Sequence, residues 1–310
     1  MIKRTIVIER PARLSFATDQ LVVSMDADDG TRQERTVPIE DMAVLVIETP
    51  QATLTNALLA ELVSRQVAVV TCNDRHMPVG LLMPLEGNTL QSARFQMQMD
   101  VSLPLKKQVW SQLIKMKLIN QAHVLQRSGR EADALLHWSK EVRSGDPDNL
   151  EARGAAHYWP RLFDDVNFRR TRDGQPPNHL LNYGYAIVRA AVARALVASG
   201  LMPTYGVHHR NQYNAYCLAD DVMEPYRPFV DDIVLSEGGR LGYPEELTRD
   251  WKGTLLQVLT TDVYIQQERS PLLVAVSKTS SSLVKVYEGS QKRVDLPTFT
   301  PYVVREDQRL

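Results

Sequence analysis

Cysteine is nearly missing from this chain of 310 residues: Cys72 and Cys217 are the only two. They fall in segments of different patterning, so they make neither a disulfide framework nor a cysteine-rich zinc site. Two buried thiols in a reducing compartment is the simplest reading. Net charge is missing as well. Lys and Arg total 36 against 37 Asp and Glu, a formal −1, which removes any argument for a nucleic-acid partner from overall basicity. No run approaches the ~18 apolar residues of a membrane span. The opening MIKRTIVIERPARLSF lacks the apolar core of a secretory signal, and the expectation is a cytoplasmic protein. Internal repeats and low-complexity segments are also lacking.

What remains is ordinary for a globular chain, 44% hydrophobic and 24% charged. At roughly 100–200 residues per domain, the length suggests two domains. Charge is divided unevenly between them. Residues 1–90 carry 8 Lys and Arg against 12 Asp and Glu, whereas residues 91–310 carry 28 against 25. A polyanionic partner should therefore meet the second part.

Patterning divides the chain at the same place. Short apolar runs recur over the first 85 residues (TIVIE, LSFA, LVVSM, TVPIE, AVLVIE, VAVVTC, VGLLMPL), separated by turn formers at Arg10-Pro11, Thr18-Asp19 and Ala27-Asp28-Asp29-Gly30. One helix interrupts them, with Thr53 as its expected N-cap. A short linker follows near 85–95. Helical spacing then takes over: Pro104 opens a helix through Arg127, and Glu131–Val142 reads as another. An alanine-rich helix covers Asn178–Ser199 and ends before Gly200. Further helices are expected over Ala215–Met223, Pro244–Gln267 and Ser270–Tyr287. The fold class is α+β: a β-rich N-terminal domain over 1–88, then an all-α domain over 89–310.

Three polar clusters fall in the helical part. In the first, Glu151 precedes small residues (Gly154, Ala155, Ala156) and the aromatic pair Tyr158-Trp159. It reads either as a solvated helix-start glutamate favoured by the helix dipole or as a carboxylate facing a cleft. The second is a Gly- and Asn-bearing loop with His208, His209 and Arg210. The third holds Asp220, Asp221 and Glu224. Three carboxylates within five residues repel unless a cation compensates; a divalent metal would do so, as would Arg210 or Arg227 at a solvated helix end. Carboxylate plus imidazole without thiolate suits Mg2+ or Mn2+, and zinc accepts the same ligands. Two basic runs accompany these clusters. Residues 101–130 hold Lys106, Lys107, Lys115 and Lys117 with no Asp or Glu, and Asn167-Phe168-Arg169-Arg170-Thr171-Arg172 places three arginines beside an aromatic. Both suit phosphate-backbone contact without base readout, and both also read as solvated surface.

In this order the clusters resemble the CRISPR-associated integrase family, the larger of the two general CRISPR adaptation proteins. The resemblance is carried by Glu151 with Tyr158-Trp159, by Asn178-His179-Leu180-Leu181-Asn182-Tyr183-Gly184-Tyr185, by Gly206-Val207-His208-His209, and by Asp221-Val222-Met223-Glu224-Pro225-Tyr226-Arg227-Pro228. The wording looks most like type II systems. The chain departs from the family pattern with Ala152, where glycine is common, and with Trp159, where phenylalanine is common.

The resemblance implies a metal-dependent DNA integrase and endonuclease. Glu151, His209 and Glu224 would hold Mg2+ or Mn2+, with His208 and Asp221 in supporting roles. Lys106, Lys107, Lys115, Lys117, Arg169, Arg170, Arg172 and Arg210 are the candidate DNA contacts. The implied partners are double-stranded DNA (captured DNA and the CRISPR repeat), a second copy bound through the N-terminal domain, the small second adaptation protein, and type II effector proteins. A non-catalytic DNA-binding scaffold is the alternative; it would keep the basic runs and lose the metal.

Overall fold

The computed structural model describes residues 3–26, 31–74 and 76–301. Its N-terminal part contains β1 (Arg4–Ile8), β2 (Ala12–Ala17), β3 (Gln20–Asp26), β4 (Arg32–Pro38), β5 (Met42–Ile47), β6 (Ala52–Leu54), α1 (Asn56–Ser64), β7 (Ala68–Cys72) and β8 (Pro78–Leu82). They form two four-stranded sheets, ordered β1-β5-β7-β8 and β4-β3-β2-β6. The unbroken apolar run Met42–Ile47 becomes β5, buried along its whole length, as a central strand covered on both faces must be. Met42, Leu45 and Ile47 join a core with Leu14, Leu21, Leu58 and Leu62, while Val44 and Val46 face the helices. The charged run in β4 (Arg32–Pro38) occupies a sheet edge, with its first five residues exposed.

The sequence expectation holds here with one difference. Thr55 is the N-cap of α1, accepting a hydrogen bond from Leu58 N at 3.3 Å, whereas Thr53 pairs with Arg13 in β6. The turn expected at Ala27–Gly30 lies outside the described residues. Cys72 is half-buried and Cys217 buried, both free.

The second part contains α2 (Gln91–Asp100), α3 (Leu103–Arg127), α4 (Asp133–Glu141), α5 (Leu150–Leu162), α6 (Asn178–Ala198), α7 (Cys217–Met223), α8 (Arg227–Leu241), α9 (Arg249–Leu256), β9 (Asp262–Ile265), β10 (Glu268–Pro271) and α10 (Leu272–Tyr287). The helix expected over Pro244–Gln267 is thus a short helix followed by a hairpin. Val263 and Ile265 favour strand, and Gln266 and Gln267, both with positive φ, make the two-residue turn of the hairpin. The mixed α+β class stands, with a two-stranded ribbon inside the helical part.

α6 is long and apolar enough to cross a membrane by length and composition, but 72% of its apolar window is buried in the protein. It is the central core helix, packed against α7, α8, α9 and α10. The two parts share one interior. Glu48, 1% exposed after β5, accepts hydrogen bonds from Tyr183 of α6 at 2.5 Å and from Lys252 of α9 at 2.8 Å.

Candidate active site

α5 begins on a turn that aims its first residues inward. Asp146 supplies the cap that Asn149 does not: its carboxylate accepts from Leu150 N and Glu151 N, each at 2.9 Å. Glu151 is therefore fixed in the first turn of α5, facing α3. A Cβ on Gly154 would stand 2.3 Å from Leu118 Cδ2, so with any other residue α5 could lie this close to α3 only if Leu118 moved. The approach brings Glu151 Oε1 within 2.5 Å of Lys117 Nζ.

The same ammonium lies 2.6 Å from Glu224 Oε2. Glu224 sits at the bend between α7 and α8, where Pro225 interrupts regular helix. α3 holds that bend too, because Asn120 donates to Pro225 O at 2.8 Å. Arg227 contacts the other oxygen, Glu224 Oε1, at 3.0 Å. Burial alone would raise the Glu224 pKa, but Arg227 and Lys117 outweigh it and hold the carboxyl below its usual range. Burial likewise works against charge on Lys117, and Glu224 and Glu151 overcome it, so its pKa lies above that of an ordinary lysine. The result is two carboxylates around one buried cation.

The histidine loop is tied to Asp221. Its Oδ2 accepts from Val207 N at 2.8 Å and His208 N at 2.9 Å; its Oδ1 accepts from His209 N at 3.3 Å and lies 2.5 Å from His209 Nδ1. A carboxylate only accepts, so Nδ1 carries the proton and Nε2 of neutral His209 is a free donor atom for a metal. The Asp221 bond raises the His209 pKa against the opposing effect of burial. His208 instead stacks on Trp110, with centroids 4.0 Å apart, and burial lowers its pKa. Gly206 makes the loop possible, since a Cβ there would meet His209 O at 2.5 Å and Asp221 Oδ2 at 2.8 Å.

The three carboxylates of the acidic cluster thus diverge. Asp220 pairs with Arg189 at 2.6 Å and Asn214 at 2.7 Å, Asp221 holds the loop, and Glu224 faces Lys117. Of the two arginines expected to compensate the cluster, Arg227 does so at Glu224, and Arg189, which the sequence did not point to, pairs with Asp220. Among the described residues, no three His, Cys, Asp or Glu stand close enough together to hold a metal ion. Glu151 and Glu224 converge, and Lys117 occupies the point of convergence. The donor set nevertheless fits a hard divalent cation: two carboxylates already gathered on a positive charge, and an imidazole whose Nε2 is left open.

A family model described as CRISPR associated protein Cas1 matches residues 5–241. The chain belongs to the CRISPR-associated Cas1 family. It is 36% identical to the CRISPR-associated endonuclease Cas1 of Neisseria meningitidis serogroup C (strain 8013), over 97% of this chain and 98% of that protein. The fold matches a casposase bound to integration product (TM-score 0.77, 18% identity, 99% of this chain and 97% of that one). It also matches a Cas1 protein from Thermotoga maritima (TM-score 0.72, 15% identity, 97% and 100%).

The basic residues of this Cas1 chain divide into groups with different roles. Lys117 is buried against the glutamates and is not a surface contact. Lys106 is also buried, its ammonium 4.6 Å over the Tyr205 ring. Lys115 faces another groove, with Lys140, Lys292 and Arg293. Arg170 is held by Asn178 Oδ1 at 3.0 Å and Asn182 Oδ1 at 2.6 Å, and those asparagines also bind the carbonyls of Arg169 and Arg172. The Asn-x-x-x-Asn spacing on α6 therefore clamps the arginine loop. Lys107, Arg169, Arg172 and Arg210 are exposed.

Arg169, Arg170 and Arg227 line a cavity of about 570 Å3 with Trp159, Phe168 and Tyr185, and Lys117, Glu151 and Glu224 form part of its wall. Sequence reasoning missed Asp146, Gln121 and the pairing of Lys117. Asp146 was legible as an acidic residue just ahead of a helix; the other two depend on packing between α3, α5 and α8.

Proposed function

We propose that this chain is a metal-dependent DNA integrase of CRISPR adaptation, with Glu151, His209 and Glu224 holding Mg2+ or Mn2+. The observation that carries the reading is the convergence of Glu151 and Glu224 on one cation position in the wall of an arginine-lined cavity. The relative from Neisseria meningitidis is named an endonuclease, and the casposase neighbour is bound to integration product. Both support phosphodiester chemistry. When bound, the metal would act as a Lewis acid on a phosphoryl oxygen.

The residues of the chain supply the rest. Asp221 fixes the His209 ring so that Nε2 faces outward. Arg169, Arg170 and Arg227 give the cavity the positive charge a phosphodiester needs. A 3′-hydroxyl oxygen attacks the phosphorus of a repeat-edge phosphodiester, one P–O bond forms, and the bond to the departing 3′ oxygen breaks. Phosphodiester bonds are conserved in number, so joining needs no external energy source. Water in place of the 3′-hydroxyl would give endonuclease activity at the same site.

Double-stranded DNA is the proposed substrate, both as captured DNA and as repeat. A further neighbour is a Cas6-RT-Cas1–Cas2 complex (TM-score 0.73, 16% identity, 97% of this chain and 36% of that one), which supports Cas2 as the small partner. A groove of about 910 Å3 beside β1, where Ile6, Val23, Met25 and Val37 alternate with charged residues such as Glu9, Arg10, Asp26 and Arg35, is the surface proposed for homodimer contact through the N-terminal part.

The test is joining of a labelled DNA duplex to a supercoiled, repeat-bearing plasmid with Mn2+. Glu151→Ala and His209→Ala should each lower joining at least a hundredfold while leaving DNA affinity within about threefold. A scaffold without catalysis would show no metal-dependent joining in the wild type. Near wild-type joining by either variant would contradict the site assignment.

A further inference from the structure

The Glu151 and Glu224 carboxylates already hold a positive charge supplied by the chain. Lys117 is 6% exposed, with Nζ 2.5 Å from Glu151 Oε1 and 2.6 Å from Glu224 Oε2. Two carboxylates gathered this closely repel each other, and this buried ammonium offsets the repulsion. The fit is incomplete, however. Lys117 Nζ fills one approach to Glu224 Oε2 at 2.6 Å, and a carboxylate oxygen has a second lone pair open to a further ligand.

One turn along α3, Gln121 is 2% exposed and its Oε1 has no hydrogen-bond partner. A buried carbonyl oxygen without a donor is costly, and native proteins rarely tolerate one without a reason. Residues four apart on a helix are neighbours on one face, and Lys117 and Gln121 both line the cavity of about 570 Å3. The cavity gives the lysine head group room to move, and Gln121 offers the acceptor it would reach.

We propose that Lys117 is the resident counter-cation of the Glu151–Glu224 pair, that a divalent cation enters by displacing it, and that the displaced ammonium docks on Gln121 Oε1. The inference rests on the metal site proposed above. It makes the metal affinity of this chain the outcome of a competition: the carboxylates are held ready while no metal is bound, and the metal must expel a paired lysine to bind. Once moved, the ammonium still faces the cavity and adds to its positive charge. Lys117 is in this sense a positioning residue, acting through the two carboxylates.

Mn2+ titration by calorimetry and by electron paramagnetic resonance on the full chain tests this, with the metal alone as probe. Lys117→Met should bind Mn2+ at least tenfold more tightly than wild type. Its metal-free unfolding temperature should fall and should recover with saturating Mn2+. Gln121→Leu, which removes the docking acceptor, should bind Mn2+ several-fold more weakly. Glu151→Gln separates the two layers of the argument. If it keeps wild-type Mn2+ affinity, the metal site itself is misassigned. If it loses Mn2+ while Lys117→Met binds no more tightly than wild type, Lys117 is not a competitor and this inference falls. Should Lys117→Met fail to fold, Lys117→Arg retains the charge on a bulkier head that is harder to expel. It must then bind Mn2+ more weakly than wild type, and unchanged affinity in both Lys117→Arg and Gln121→Leu overturns the proposal.

Discussion

Asp231 is the clearest case of a side chain whose surroundings, and not its type, set its charge. It is 1% exposed and accepts hydrogen bonds from Tyr158 and Tyr185. Burial pushes its carboxyl from 3.8 up to about 7, against the lowering effect of the two tyrosines and of Arg170 and Arg227. The folded state therefore keeps a proton that the unfolded chain has lost. Its contribution to stability is full below about pH 4 and is lost as pH rises through about 7. Asp231→Asn cannot titrate, so its unfolding temperature relative to wild type should climb between pH 5 and pH 8. Parallel curves for the two proteins over that range would show that Asp231 does not titrate there. At this scale the sequence named Glu151, His209, Glu224 and Asp221 through their motifs. It could not show that Lys117 turns inward or that Asp231 gathers two tyrosines, since both facts depend on which helices meet.

Among the elements, the approach of α5 to α3 matters most. Gly154 is where they touch, and Leu118, the neighbour it meets, is fully buried. Gly154→Ala forces the helices apart or Leu118 from its rotamer, at a cost of about 1–3 kcal/mol. The urea midpoint should fall accordingly with the slope unchanged; an unchanged midpoint would mean that the contact relaxes freely. The small residues after Glu151 were legible in the sequence, although the helix they pack against was not. Helix periodicity also located α3 and α6 to within a few residues. It failed after Pro244, where a mixture of apolar and polar residues fits a helix and a short hairpin equally well until the Gln266-Gln267 turn is seen.

For the molecule as a whole, the sheet and the helices are joined by a buried charge network. Glu48 accepts from Lys252 at 2.8 Å and from Tyr183 at 2.5 Å, and at the surface the exposed Arg249 reaches Glu9 at 2.8 Å. Lys252→Met strands the Glu48 carboxylate in the interior and should cost about 3–5 kcal/mol. Glu48→Gln combined with Lys252→Met should regain most of that loss; a double variant as unstable as the single would show that the charge is not the cause. The β-then-α order was legible from strand and helix patterning. The shared interior was not, because β5 reads as one apolar run whichever neighbours cover its two faces. The central claim, a divalent cation gathered by Glu151, His209 and Glu224, is tested most directly by crystals soaked in Mn2+ and measured at the manganese absorption edge. The account predicts one anomalous peak per chain between the two carboxylates and His209 Nε2, with Lys117 moved aside. A well-ordered site with no peak there, or a peak only elsewhere, would contradict it.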